Sequence, residues 1–352
     1  MSAREFLLDQ WVRHPASRLQ DLRKALYQST FGCGHLVDDP SAAADWIRRE
    51  AEHAPDCREM EPLDGPWCRV PLGILSEGLT PETLAAAFAQ SAAVPGEDIP
   101  ALEDRLAVLM GLIREGTLPF DPAAAAAEIA AWRAAGFPAC HHSEDYRNAY
   151  HPAYRVLHKR YAHLLPLLAA IDRALGSKPR MLLAIEGGSA SGKSTLAELL
   201  TGIYPDAALF HADDYFLRPE QRTPERFAQP GGNMDRERLE AEILAPLSRG
   251  GDVVYRPFDC KTMSLSEPRR SRAARLNIVE GSYSLHPALE PYYDLSVFLE
   301  ISPESQRRRV LERNGPEWGQ MFFDRWIPLE NTYFQATRTA ERCTLRLKEE
   351  TE

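Results

Sequence analysis

Residues 181–202 read MLLAIEGGSASGKSTLAELLTG. Within them Gly187, four further residues, and then Gly192, Lys193 and Ser194 have the spacing of a loop that holds a chain of phosphates. Such an anion needs several backbone N–H donors turned inward around it. A Cβ at the tight positions blocks both the curvature and the approach, and Gly187, Gly188, Ser189, Ala190, Ser191 and Gly192 keep the loop small. Lys193 brings a point charge for the β- and γ-phosphates, and the Ser194 hydroxyl can ligate Mg²⁺, with Thr195 beside it. A helix opening near Gly192 aims the positive end of its dipole at the same anion. The flanks fit: Met181–Ile185 is an apolar run suited to a buried parallel strand, and Ser194–Leu200 has helical composition with Leu196, Leu199 and Leu200 apolar. A Gly/Ser linker has no need of a Lys-Ser pair at this spacing.

Two acidic positions downstream suit transfer of a phosphoryl group to a hydroxyl. His211-Ala212-Asp213-Asp214-Tyr215-Phe216 follows a second candidate strand. A carboxylate there can orient a hydroxyl and accept its proton, so Asp213 or Asp214 is the candidate base, against the alternative of a turn-forming pair. Ile278-Val279-Glu280-Gly281 ends another apolar strand. Glu280 can hold Mg²⁺ directly or through water, with Gly281 leaving space beside a nucleotide. Arg307, Arg308, Arg309 and Arg313 crowd two helical turns, and the last two share a face. Arginines in a lid can neutralise the transferring group; the alternative is a solvated face paired with Glu304 and Glu312.

The elements that must position these residues alternate in the second half. Candidate strands are Met181–Ile185, Ala208–His211, Val253–Tyr255, Asn277–Val279 and Leu295–Ile301. Candidate helices are Lys193–Thr201, Arg236–Leu247, Pro303–Arg313 and Trp318–Thr337. This implies an α/β fold with a mostly parallel sheet covered by helices on both faces, and a site beyond the carboxyl ends of its strands. The breaker cluster Gly176-Ser177-Lys178-Pro179 sets a boundary, giving a mainly α-helical domain at 1–175 and the α/β domain at 176–352. Helices are expected over Arg18–Tyr27, Ser41–Glu52, Thr80–Ala93 and Leu102–Glu115. A further helix is capped by Asp121 and Pro122 and ends near Gly136, and a long one covers Tyr154–Leu175. Glu61–Leu75 has room for a strand or two.

Net charge is −10 with a sequence pI near 5.6, which disfavours a broad nucleic-acid surface. No apolar run approaches a membrane span, and the N-terminus lacks a signal-peptide pattern. The six cysteines are scattered without a C-x-x-C pair, as expected of reduced thiols in a cytoplasm. A homo-oligomer is compatible with the sequence. In the first half His141, His142, Glu144, His151, His158 and His163 form the densest polar cluster, with Cys33 and His35 a smaller one. Its spacing matches no standard zinc pattern, so packing and hydrogen bonding are the preferred reading. A polar ligand pocket made by Tyr146, Arg147, Tyr150 and His151 is the alternative.

At the motifs GGSASGKST, ADDYF, GGNMD, VYRPFD, VEGSYSL, the arginine run and RWIPLENTYF, the second half resembles the uridine kinase/phosphoribulokinase family of P-loop kinases. The resemblance covers about half the chain, from roughly Arg180 onward. It implies a P-loop NTPase-type sheet, with ATP and Mg²⁺ held by the loop, Lys193, Ser194 and the Walker B-like Glu280. By the same resemblance Asp213 is the acceptor-activating base, Asp235 binds sugar hydroxyls, Tyr255 lies at the substrate side, and Arg308, Arg309 and Arg313 fall in the lid. The chain departs from the nucleoside kinases in lacking their base-contacting histidine after Tyr255, and in carrying the helical first half. The implied activity is transfer of the γ-phosphoryl group of ATP to a small-molecule hydroxyl, a nucleoside foremost. The alternatives are a sugar, polyol or pantothenate-like alcohol as acceptor, or a nucleotide-dependent switch with no acceptor.

Overall fold

The structure, a computed structural model, describes residues 2–34 and 40–348 and divides into two units, Met1–Ala169 and Ala170–Glu352. His35 lies outside the described residues. The first unit is helical around a small antiparallel sheet of β1 (Glu61–Pro62), β2 (Trp67–Pro71) and β3 (Tyr154–His158) in the order β1-β2-β3. Its helices start where capping chemistry says they should. Thr80, Asp98 and Asp121 each accept the backbone N–H three residues on, and each helix carries Pro in its first turn.

The expected long helix over 154–175 is corrected by β3. Tyr154–His158 pairs antiparallel with β2, Val156 opposite Arg69, and the chain turns helical only at Lys159–Ala162 and then Leu165–Ser177. The leucines at 157, 164, 165 and 168 suggest helical spacing, but Tyr and Val in the first five residues favour a pleated surface, and β2 supplies the partner. The first helix, Ala3–Arg13, has a full capping box from Ser2 and Glu5, a signal the sequence reading passed over.

In the second unit the strands are β4 (Met181–Gly187), β5 (Ala208–His211), β6 (Val253–Tyr255), β7 (Phe258–Asp259), β8 (Ser264–Leu265), β9 (Arg269–Ser271), β10 (Leu276–Glu280), β11 (Leu295–Leu299) and β12 (Leu345–Leu347). Five of them form an all-parallel sheet in the order β12-β11-β4-β10-β5. Every residue of β4, β10 and β11 is buried, as a sheet packed on both faces requires. Val253–Tyr255 is a strand, but it pairs antiparallel with β9 outside that sheet. The edge strand β12 has no expectation in the sequence reading; three residues are too few to show a period.

One face of the sheet, through Leu182, Phe210 and Val279, packs on Leu239, Ile243, Leu244 and Leu247 of the helical segment 236–248 and on Tyr333. The arginine-bearing helix Pro303–Met321 breaks at Gly315, whose φ is +72°, just before Pro316. Beyond it the chain runs helically through a π-turn into Ile327–Thr337. Among the described residues no helix is long and apolar enough to cross a membrane.

Candidate active site

Sheet register brings the sequence-separated motifs together. Ile185 of β4 lies opposite Glu280 of β10, and Glu280 lies opposite His211 of β5. The glycine loop, the Glu280-Gly281 corner and the Asp213 turn therefore leave adjacent strands at the same edge, about 5 Å apart from strand to strand. Gly187 has φ +150°, and a Cβ there would sit 2.8 Å from the Leu299 carbonyl oxygen. Ala190 takes a left-handed φ of +62°, so a residue with a Cβ carries part of the loop's curvature. The room left by Gly281 is filled by Ala212: an added Cβ would meet its methyl at 2.7 Å. That glycine serves strand-to-strand packing.

Lys193 opens the helix Lys193–Ile203 and folds its Nζ back to the Gly187 and Gly188 carbonyls at 3.0 and 2.9 Å. The ammonium is thereby held over the loop it follows. Ser194 Oγ donates to Glu280 Oε1 at 3.3 Å, and His211 Nδ1 lies 2.6 Å from the same oxygen. A hydroxyl and a carboxylate this close are the hard oxygen donors Mg²⁺ takes. The donor set fits the ion, with Ser194 and Glu280 the residues to hold it. Ser194 and Thr195 are exposed at the start of the helix, while Ser191 Oγ is buried without a hydrogen bond.

Asp213 sits on the short 3₁₀ turn Ala212–Tyr215 that follows β5. Loss of water raises its carboxyl above the ordinary aspartate range; Lys193 pulls it down, and Glu280 and Glu330 push it up again. The side chain is exposed, with enough protein around it that loss of water is the largest influence on its carboxyl. Asp214 is also raised by burial, but the cations that act on it are His211, Arg269 and Arg238. Lys193 is a leading influence on Asp213, whereas His211, Arg269 and Arg238 are the leading cations at Asp214.

The C-terminal helices grip the outer edge of the loop. Gln306 Nε2 donates to the Ser189 carbonyl at 2.9 Å, and Arg309 Nη1 reaches the Ala190 carbonyl at 3.5 Å. Arg308 lies 3.8 Å from Glu312, and the Arg313 guanidinium stacks 5.4 Å from the Phe322 ring. Arg309 thus has a hydrogen bond to the loop. Glu330 is buried and accepts from Ser189 N, Ser189 Oγ and Ser282 Oγ at 2.8, 2.7 and 2.8 Å. The sequence reading missed both Gln306 and Glu330. RWIPLENTYF flagged the segment, but an acid on a polar helix carries no mark of burial.

Asp235 is buried and caps the turn Arg236–Leu239 through Arg238 N. Its Oδ2 makes no hydrogen bond, with Arg218 Nε at 3.7 Å. Tyr255 packs edge-on to Phe210 at 5.7 Å. Beneath the loop, Glu186 is fully buried and accepts from the backbone N–H groups of Gly187, Tyr283 and Leu285. Burial nonetheless raises its carboxyl to about 7. Between the ordinary 4.5 and about 7 the native state holds a proton the unfolded chain has lost, so stability falls as pH rises through that window. The full effect is on the order of 3 kcal/mol. Urea unfolding of wild type and Glu186→Gln at pH 5 and pH 8 checks it: the variant should gain on the wild type by about that amount at pH 8. An unchanged difference between the two pH values removes Glu186 as the titrating group.

No protein-family model and no curated protein matches the chain. Solved structures do. A candidate uridine kinase from Bacillus stearothermophilus is 20% identical, with a TM-score of 0.39, over 51% of this chain and 98% of that one. A candidate fructose transport system kinase from Silicibacter sp. TM1040 is 21% identical, with a TM-score of 0.35, over 51% of this chain and 97% of that one. D-glycerate 3-kinase from Cryptococcus neoformans is 16% identical, with a TM-score of 0.36, over 52% and 90%.

Proposed function

We propose that residues 170–352 form an ATP- and Mg²⁺-dependent phosphotransferase acting on a hydroxyl of a small ribose- or polyol-bearing molecule, nucleosides foremost. The carrying observation is the strand register that brings the glycine loop, the Glu280 corner and the Asp213 turn to the same ends of adjacent strands, with Ser194 hydrogen-bonded to Glu280. A nucleotide-driven switch has no use for a carboxylate at the strand end next to the glycine loop. Phosphoryl transfer does, because the attacking hydroxyl must be oriented and must lose its proton.

In this reading the loop N–H groups and Lys193 bind the β- and γ-phosphates. Ser194 and Glu280 would hold Mg²⁺, which would supply positive charge to offset that of the phosphates. Asp213 orients the acceptor hydroxyl and takes its proton as the O–P bond forms. Loss of water raises its carboxyl above the ordinary aspartate range, which strengthens it as a base. Arg309, already against the loop, places positive charge beside the transferring group. The unbonded Asp235 Oδ2 is an acceptor that a substrate hydroxyl would satisfy.

The test is ADP release across a panel of nucleosides, sugars, polyols and pantothenate, with Lys193→Ala as blank. Acceptor-dependent release by at least one panel member is expected. Slow, acceptor-independent release with every member would contradict the proposal and favour the switch.

A further inference from the structure

Two buried ionisable side chains stand outside the proposed chemistry in different ways. His142 hydrogen-bonds within its own unit, with Nδ1 2.9 Å from Asp21 and Nε2 2.6 Å from Tyr154 OH. Glu330, 5% exposed on the helix Ile327–Thr337, turns its carboxylate onto the glycine loop, and no step of the transfer uses it.

Glu330 Oε2 accepts from Ser189 N, while Oε1 accepts from the hydroxyls of both Ser189 and Ser282. Ser282 follows the Glu280-Gly281 corner and is itself buried. Its Oγ lies 2.8 Å from Glu330 Oε1, 3.0 Å from the Gly187 carbonyl oxygen and 3.4 Å from Lys193 Nζ. A hydroxyl has one proton to give and lone pairs to receive with. The carboxylate is the stronger of the two acceptors, and the Gly187 carbonyl already receives Lys193 at 3.0 Å. The Ser282 proton therefore goes to Glu330, which leaves the oxygen to accept from the ammonium. The order is Lys193 to Ser282 to Glu330.

The carboxylate is fixed from behind as well. Three residues along the helix, Tyr333 is fully buried with its hydroxyl 3.2 Å from Glu186 Oε2. The helix is thereby tied to the end of β4, from which the loop leaves. At Ser189, Glu330 holds the residue just before the left-handed turn at Ala190.

We infer that Glu330 is a positioning residue for the transfer: it turns the Ser282 hydroxyl so that its lone pairs face Lys193, and so sets the ammonium for the phosphates. The inference rests on the phosphotransferase reading. Glutamine at 330 has the same size but cannot accept at both oxygens. Its NH₂ either faces the Ser189 N–H or donates to the two hydroxyls, and then Ser282 accepts from the amide in place of Lys193.

The test compares wild type, Glu330→Gln, Ser282→Ala and the double variant, each checked for melting, in ATP titration and acceptor-dependent ADP release. Each single change should lower kcat by about 10-fold, and the double variant should fall no more than about two-fold below the weaker single, because both break one chain. ATP affinity in Glu330→Gln should stay within about three-fold of wild type, since losing a negative charge beside the loop favours a polyanion; a merely structural contact would lower affinity and turnover together. Ser282→Ala should weaken ATP about five-fold in wild type and less than two-fold in Lys193→Ala. That arm carries the test if Glu330→Gln does not fold, because Ser282→Ala leaves Glu330 both bonds to Ser189. Undiminished kcat in folded Glu330→Gln, losses that multiply in the double variant, or equal weakening of ATP by Ser282→Ala with and without Lys193 each overturns the inference. Absence of acceptor-dependent release in the wild type instead defeats the phosphotransferase reading, and the ATP titrations still decide whether Ser282 acts through the lysine.

Discussion

Lys193→Ala should lose transfer by at least about 100-fold and weaken ATP binding in the same protein. The ammonium makes two kinds of contact, and both are lost. Toward the phosphates it is the loop's only full positive charge supplied by the motif itself. Toward the protein it binds the Gly187 and Gly188 carbonyls, so its removal also frees the loop to depart from the curvature that Gly187 and Ala190 impose. ATP titration and steady-state ADP release measure the two effects separately. Wild-type ATP affinity and turnover in the variant would remove the loop from the active site.

Asp213→Asn should behave differently. Asparagine keeps the shape and the turn but cannot take a proton, so kcat should fall by about 10²- to 10⁴-fold while ATP affinity stays within about two-fold. Loss of a negative charge near Lys193 can only favour a polyanion, which makes weakened ATP binding an unexpected result. Activity of the wild type should also decline on acidification at a pH above the ordinary aspartate value, because Asp213 takes up its proton earlier than an exposed aspartate. The same limb should vanish in the variant's residual activity. Full turnover by Asp213→Asn assigns the proton transfer elsewhere, with Asp214 the next candidate.

Much of the second unit is legible in the sequence because its signals are local. The glycine loop names its own neighbours, and continuous apolar runs mark β4, β10 and β11. What connects them is register: Glu280 beside Ile185 and His211 cannot be read from spacing, though strand-end placement anticipates it. Glu330 and Gln306 escape for a related reason. Each sits on a polar helix more than a hundred residues from Ser189, and nothing nearby in sequence marks either as a contact of the loop.

The first unit is less legible. Tyr154–His158 reads as the start of a helix until β2 is available to pair with it, and β2 lies more than eighty residues upstream. Arg69 looks like any strand arginine. Its burial follows from the helices that bring Gln10 and Gln28 to it and from β1, which sets Glu61 opposite it. The capped helices, by contrast, are announced by Thr80-Pro81 and Asp121-Pro122, where the cap and the first-turn proline are sequence neighbours.

The most direct measurement follows the phosphorus itself. With γ-labelled ATP and the best acceptor from the panel, a single-turnover quench should yield the label as an alcohol phosphate in step with ADP. The label appearing as inorganic phosphate at the same rate with and without acceptor would contradict the account.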